Sequence, residues 1–233
     1  MRTLTIIAAL ICVNTAHADR LTDILLDHQK SLEFCQLLSK SMVIVAVSPQ
    51  LEDWIDPQSA VERLGAAVAV KGNNGKIRLL TSGPLVENFR SVRVRFPNGR
   101  VEVATKVATL GDGALAEITV KGLKELVPLA LADPKLVQRE LPVFSVGNPG
   151  ANRSVLIQAV VVERLREPVK GLIISDLKSA LGWPLITADG TLAGINFRPH
   201  PKESGLTVGV GAEMIGAWLH PKSPKTDTKP NAH

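Results

Sequence analysis

Residues 175–196 read S-D-L-K-S-A-L-G-W-P-L-I-T-A-D-G-T-L-A-G-I-N, and the second half of this stretch sets the architecture. Two short apolar runs, Trp183 to Ile186 and Leu192 to Ile195, flank the turn Ala188-Asp189-Gly190. Asp-Gly between apolar runs is a strong hairpin signal, because glycine supplies the positive φ that such turns need. Each run is too short for a buried helix and is bounded by turn residues, so both are strands.

Working outward from this hairpin, the same pattern recurs along the chain. Met42 to Val47 (M-V-I-V-A-V) is a buried strand, and Leu64 to Val70 is a second. Asn73-Asn74-Gly75 turns into Ile77 to Leu80. Ser91 to Phe96 alternates Val92, Val94 and Phe96 with Arg93 and Arg95, then Pro97-Asn98-Gly99 turns into a strand over Val101 to Val107. Further strands are expected at Ala114 to Val120, Leu126 to Leu131, Pro142 to Val146, Ser154 to Glu163, Gly171 to Ile174 and Leu206 to Val210. Pro128 confines the second of these to an edge or a strand start. Helix is expected over residues 19–41 and over Ala212 to Leu219 only. Short strands at turn-punctuated spacing, with helices at the ends, specify an all-β barrel or sandwich architecture.

Composition narrows the function. The chain has 45% hydrophobic and 21% charged residues, so it is globular and not a disordered polyelectrolyte. Aromatics are 3%, with no Tyr, and the net charge of +5 is spread along the chain. Nucleic-acid binding would need a concentrated basic stripe and stacking surfaces, and neither is present, so no nucleic-acid partner is expected. No His/Cys/Asp/Glu group has ligand spacing, so neither metal nor cofactor is expected.

The beginning of the sequence sets the compartment. Arg2, the apolar run Leu4 to Val13 and the small-x-small site Ala16-His17-Ala18 form an export signal over residues 1–18, with cleavage after Ala18. The run is shorter than the ~20 residues needed to cross a bilayer, so no stable membrane span is expected after cleavage. The protein should be periplasmic or secreted. Cys12 leaves with the signal, and Ile11 is too bulky for a lipoprotein site. Cys35 is then the sole thiol, lying in a helical pattern and expected to be buried, with no internal disulfide. Residues 220–233 are polar and rich in Pro and Lys, a disordered tail.

The G-I-N at Gly194-Ile195-Asn196 resembles the close of the last hairpin in chymotrypsin-fold serine proteases of Deg/HtrA type. Other stretches fall in the same order. Leu80-Thr81 with Leu85-Val86 resembles that family's L-T-x-x-H-V-V, Asp112-Gly113-Ala114-Leu115 its D-x-A-L, and Gly147-Asn148-Pro149 its turn between lobes. The resemblance implies a two-lobed pair of six-stranded β-barrels over residues 42–219, with the lobe boundary near 135–150, an N-terminal helical segment over 19–41 and a short C-terminal helix.

It also implies where a catalytic triad would sit. The histidine position is Pro84, the aspartate position is Asp112 and the serine position is Leu181. A triad works because the histidine takes the serine proton while the aspartate holds the histidine tautomer. Proline has no titratable group and leucine no nucleophile, so only Asp112 survives. Ser179 and Trp183 replace the first and last glycines of the family's G-N-S-G-G. The expectation is a catalytically inactive, exported trypsin-like domain, a pseudoprotease, binding a peptide or protein partner through the former cleft. Asn196, Phe197, Arg198 and Trp183 are the candidates for that contact, since in the family this strand pairs with the substrate backbone and β-augmentation needs no catalytic group. Two alternatives stay open: an active serine endopeptidase with a non-standard triad, and a structural or assembly component. Asp112 is either a shielded triad relic or an ordinary turn residue, Trp183 and Leu181 either core or contact. His200 is either a solvated loop residue or a base for Ser175 or Ser179.

Overall fold

The computed structural model describes residues 15–48, 63–72, 75–88, 91–147, 155–165, 171–177 and 181–220. The signal-like residues 1–14, the Asn73-Asn74 half of one turn, Asn148-Pro149 and the tail from 221 lie outside the described residues.

Two helices come first, α1 (Thr15–Leu26) and α2 (His28–Ser39). The single helix expected over 19–41 is broken at Asp27, whose carboxylate accepts the backbone N–H groups of Gln29 (2.9 Å) and Lys30 (3.2 Å). An aspartate with extended backbone satisfies the orphan amides of a new first turn, so α2 starts there.

The first lobe holds β1 (Met42–Ser48), β2 (Arg63–Lys71), β3 (Ile77–Ser82), β4 (Ser91–Arg95), β5 (Val101–Val103), β6 (Lys106–Leu110) and β7 (Leu115–Thr119), with one helical turn α3 (Gly83–Val86) after β3. The seven strands form an antiparallel sheet in the order β5-β4-β1-β2-β3-β7-β6. The strand expected over 101–107 is two strands, and the lobe is a curled seven-stranded sheet where a closed six-stranded barrel was expected. The cause lies at Ala104 and Thr105, whose N–H groups bond opposite neighbours, Val92 O and Thr119 O (both 2.8 Å), so the chain leaves one edge of the sheet and starts the other.

The second lobe is a closed barrel of β8 (Pro142–Gly147), β9 (Val155–Arg164), β10 (Leu172–Ser175), β11 (Pro184–Ile186), β12 (Leu192–Pro199) and β13 (Thr207–Gly211), ordered β10-β13-β12-β11-β8-β9. Helix α4 (Ala212–Leu219) closes the described chain. Mostly β, with one closed six-stranded barrel and one curled sheet, this is the two-lobed chymotrypsin-like architecture.

The segment 126–132 between the lobes is not a strand of either sheet. It changes partners along its length instead. Val127 N bonds Lys40 O at the end of α2 and Leu129 N bonds Ala69 O of the first lobe, while Leu192 N bonds Ala130 O and Ala132 N bonds Leu192 O in the second. Pro128 has no N–H to give and sits between the first two of these donors.

Three apolar clusters result. Val43, Val45, Ala67, Leu79, Val94 and Phe96 fill the first lobe, and Val143, Val161, Ile173, Leu185 and Ala193 fill the second. The largest cluster lies between them, with Met42, Val68 and Leu80 from one lobe, Phe144, Ile195, Phe197 and Val210 from the other, and Phe34, Leu38 and Ile215 from the helices. Phe34 of α2 meets Phe144 edge-on, ring centroids 5.4 Å apart, so α2 braces the second lobe while leading into the first.

Candidate functional site

The lobes meet where the end of β3 faces the start of β11 and the end of β12. Two hydrogen bonds cross this seam, from Ala66 N to Leu181 O (3.1 Å) and from the Ser82 hydroxyl to Phe197 O (3.0 Å). Two more brace its second-lobe side, from Gly182 N to Asn196 O (2.8 Å) and from Asn196 N to Trp183 O (3.0 Å). Thr81 Oγ1 also donates to Ala66 O at 2.6 Å. Gly182 makes the approach possible. Its φ is +78°, and a Cβ there would lie under 3.0 Å from both Ala66 O and Thr81 Oγ1.

The positions that the resemblance assigns to a triad, Pro84, Asp112 and Leu181, lie on or beside this seam. Pro84 is half-buried in the first turn of α3, where proline's fixed φ and missing N–H cost nothing, and its carbonyl accepts Arg63 Nη1 at 3.2 Å. Leu181 is half-buried and packs on the first-lobe core, in the cluster that contains Leu85. Gly65 abuts both the Leu85 side chain and Leu181 O, which places Leu181 beside α3. Asp112 belongs to the turn Gly111-Asp112-Gly113, which touches the first residue of α3: Gly83 N donates to Ala114 O at 3.0 Å, and a Cβ on Gly83 would collide with Gly113 O. Asp112 itself is exposed, with no side-chain partner among the described residues. Of its two readings, the structure favours the ordinary turn residue over the shielded relic.

The residues expected to meet a partner separate into two groups. Arg198 is exposed, its guanidinium 5.1 Å from the Phe197 ring centroid, and Trp183 is half-buried against the cores. Asn196 and Phe197 are 1% and 8% exposed, so neither side chain is available at the surface, which corrects their assignment as contact residues. The reason is a bulge. Asn196 pairs with Gly209 but Arg198 with Val208, leaving Phe197 as an extra residue that turns into the interlobe core. The backbone that strand addition would use is also engaged, since Asn196 N, Asn196 O and Phe197 O all bond within the chain.

Sequence reasoning missed a polar cluster inside the second barrel. Ser175 Oγ lies 3.0 Å from Thr207 Oγ1 and 3.3 Å from Asn196 Oδ1, and Thr207 Oγ1 donates to Leu177 O at 3.0 Å. Ser175 is fully buried in this network, which removes it as a nucleophile for His200. His200 is occupied elsewhere. Its Nδ1 accepts the N–H groups of Glu203 (3.0 Å) and Lys202 (3.4 Å), holding the β12–β13 loop. Ser179 lies outside the described residues. Cys35 is buried, and that burial pushes its thiol pKa up, the opposite of what a nucleophile needs. Among the described residues, no three His, Cys, Asp or Glu side chains gather as a metal site, and no helix is long and apolar enough to cross a membrane.

No protein-family model matches this chain, and no curated protein matches it by sequence. Solved structures do. The crystal structure of Rv3671c from M. tuberculosis H37Rv, a serine-to-alanine mutant in its inactive form, is similar with a TM-score of 0.58 and 17% identity, covering 80% of this chain and 88% of that one. At this identity the likeness is one of fold, and with the barrel and the curled sheet described above it establishes that the chain adopts the chymotrypsin-like two-lobed fold.

Proposed function

We propose that this is an exported, catalytically inert relative of the Deg/HtrA-type proteases that works by binding a peptide or protein. The observation that carries this reading is the occupancy of the seam. Leucine and proline stand on adjoining elements at the positions that the resemblance gives to the nucleophile and the base, and Asp112, at the position it gives to the carboxylate, faces solvent. Acyl transfer needs an activated nucleophile within hydrogen-bond reach of a base. Apolar carbon at both positions supplies neither. Beside these positions Phe197 packs in the interlobe core and Gly182 holds the lobes in backbone contact.

If a partner uses the former cleft, the surface left for it is Arg198 and the half-buried Trp183. The engaged backbone of Asn196 and Phe197 favours a second reading, an assembly component whose partner docks away from the cleft. Two experiments test the proposal. Incubation of the purified chain from Asp19 with casein should give no cleavage that a serine-protease inhibitor stops; inhibitor-sensitive cleavage would overturn catalytic inertness. Capture of partners from the exported fraction should be lost with Arg198→Glu if the cleft is used, and unaffected capture would leave the assembly reading.

A further inference from the structure

The outward face of the first lobe carries an apolar and cationic patch that ends at an open sheet edge. Strand register defines it. Val103 lies opposite Arg93, Arg93 opposite Ala46 and Ala46 opposite Leu64; in the next row Val101 lies opposite Arg95, and Arg95 opposite Ile44. The intervening residues Val43, Val45, Val92 and Val94 point into the core, so these two rows face out. Outward positions on such a sheet are ordinarily polar. Here Leu64 is 65% exposed, Val103 53% and Val101 51%.

Among the described residues the edge itself is open. Strand β5 is the last in its sheet. Arg100 O accepts from Phe96 N and Ala104 N donates to Val92 O, so the even-numbered residues bond to β4. In an antiparallel pair these bonds alternate, which turns the N–H and C=O of Val101 and Val103 away from β4. Neither valine has another bonding partner among the described residues. Exposed edges are ordinarily blunted by lysine, proline or a covering element. β5 is short, but what it presents is two valines.

We propose that β5 is a docking edge for an extended acidic segment of a partner protein, added as a further strand whose carboxylates reach Arg95. Strands lie about 4.8 Å apart, so an incoming strand at β5 stands two spacings from β4, a gap that an arginine and a glutamate side chain close together. Its outward side chains would lie over Val101 and Val103, glutamate stems covering the valines as their carboxylates reach onward, while its main chain takes up the free groups, the usual division of labour in strand addition. Charge complementarity selects acidic over basic segments, because Arg95 is exposed and has no side-chain partner among the described residues. The proposal is independent of the former cleft.

The probe is a short fluorescein-labelled peptide alternating Glu and Val, with a Lys/Val peptide as its control, added to the chain from Asp19. Fluorescence anisotropy should show saturable binding of the Glu/Val peptide and at least about tenfold weaker binding of the Lys/Val peptide. Arg95→Glu should invert that preference. Val103→Pro, which removes an edge donor that β4 does not use, should weaken Glu/Val binding with an unchanged thermal midpoint. Independently of any variant, amide exchange at Val101 and Val103 should slow when the peptide is added. Absence of saturable binding, equal binding of both peptides, or unchanged exchange at the two valines would overturn the proposal. So would a concentration-dependent dimer that Val103→Pro dissolves, because the occupant would then be a second copy.

Discussion

Replacing Gly182 with alanine should destabilise the seam between the two lobes. The residue sits at φ +78°, and an added Cβ would come under 3.0 Å from Ala66 O and Thr81 Oγ1. The backbone term alone is about 1–2 kcal/mol for a left-handed conformation in a residue with a Cβ. The steric term adds roughly 1–3 kcal/mol, because the obstacle is main chain of the opposite lobe and not the free end of a side chain. Gly190 provides the control: its φ is +80°, but nothing lies within 4 Å of its Cβ direction. Gly190→Ala should therefore show the backbone term and Gly182→Ala both terms, a gap of roughly 1–3 kcal/mol. Urea unfolding followed by tryptophan fluorescence measures it, with Trp183 and Trp218 as reporters at the seam and on α4. Equal destabilisation of the two variants would refute the tight backbone contact between lobes.

Three further predictions rest on burial and on the chain's beginning. Cys35, 4% exposed and with its thiol pKa raised by burial, should resist a thiol-specific disulfide reagent in the folded chain from Asp19 and react fully in denaturant. Phe197→Ala should cost about 3–5 kcal/mol in the same urea assay, as a large side chain removed from a packed core; a cost under about 1 kcal/mol would mean that the ring is not part of the interlobe core. If residues 1–18 are an export signal, N-terminal sequencing of the protein recovered from the exporting cell should start at Asp19, and a start at Met1 would remove the export reading.

Much of the fold was legible because it depends on local chemistry. Asp189-Gly190 forms its turn with Gly190 at φ +80°, and Asn98-Gly99 does the same with Gly99 at φ +83°. The Val92/Val94/Phe96 alternation buries its apolar members as the period of two requires. What stayed hidden depended on non-local pairing. The division of 101–107 follows from Ala104 and Thr105 choosing opposite neighbours, Val92 and Thr119, which no window of sequence contains. Segment 126–132 is apolar enough for a strand, yet its donors serve two lobes in turn. Phe197 was assigned to the contact surface by the resemblance, and the bulge between Asn196 and Arg198 turns it into the interlobe core. The site positions Pro84 and Leu181 came from the resemblance, and their adjacency came only with α3 and Gly65 in place. Asp27, by contrast, was a readable helix start that a single long helix over 19–41 obscured.

Catalytic inertness requires that no serine of the folded chain be nucleophilic. Treatment of the native protein with a fluorophosphonate probe, followed by intact mass and peptide mapping, answers this directly. With Leu181 and Pro84 at the seam, the prediction is an unmodified mass and no labelled serine. Stoichiometric labelling of one serine, abolished by denaturation, would contradict it.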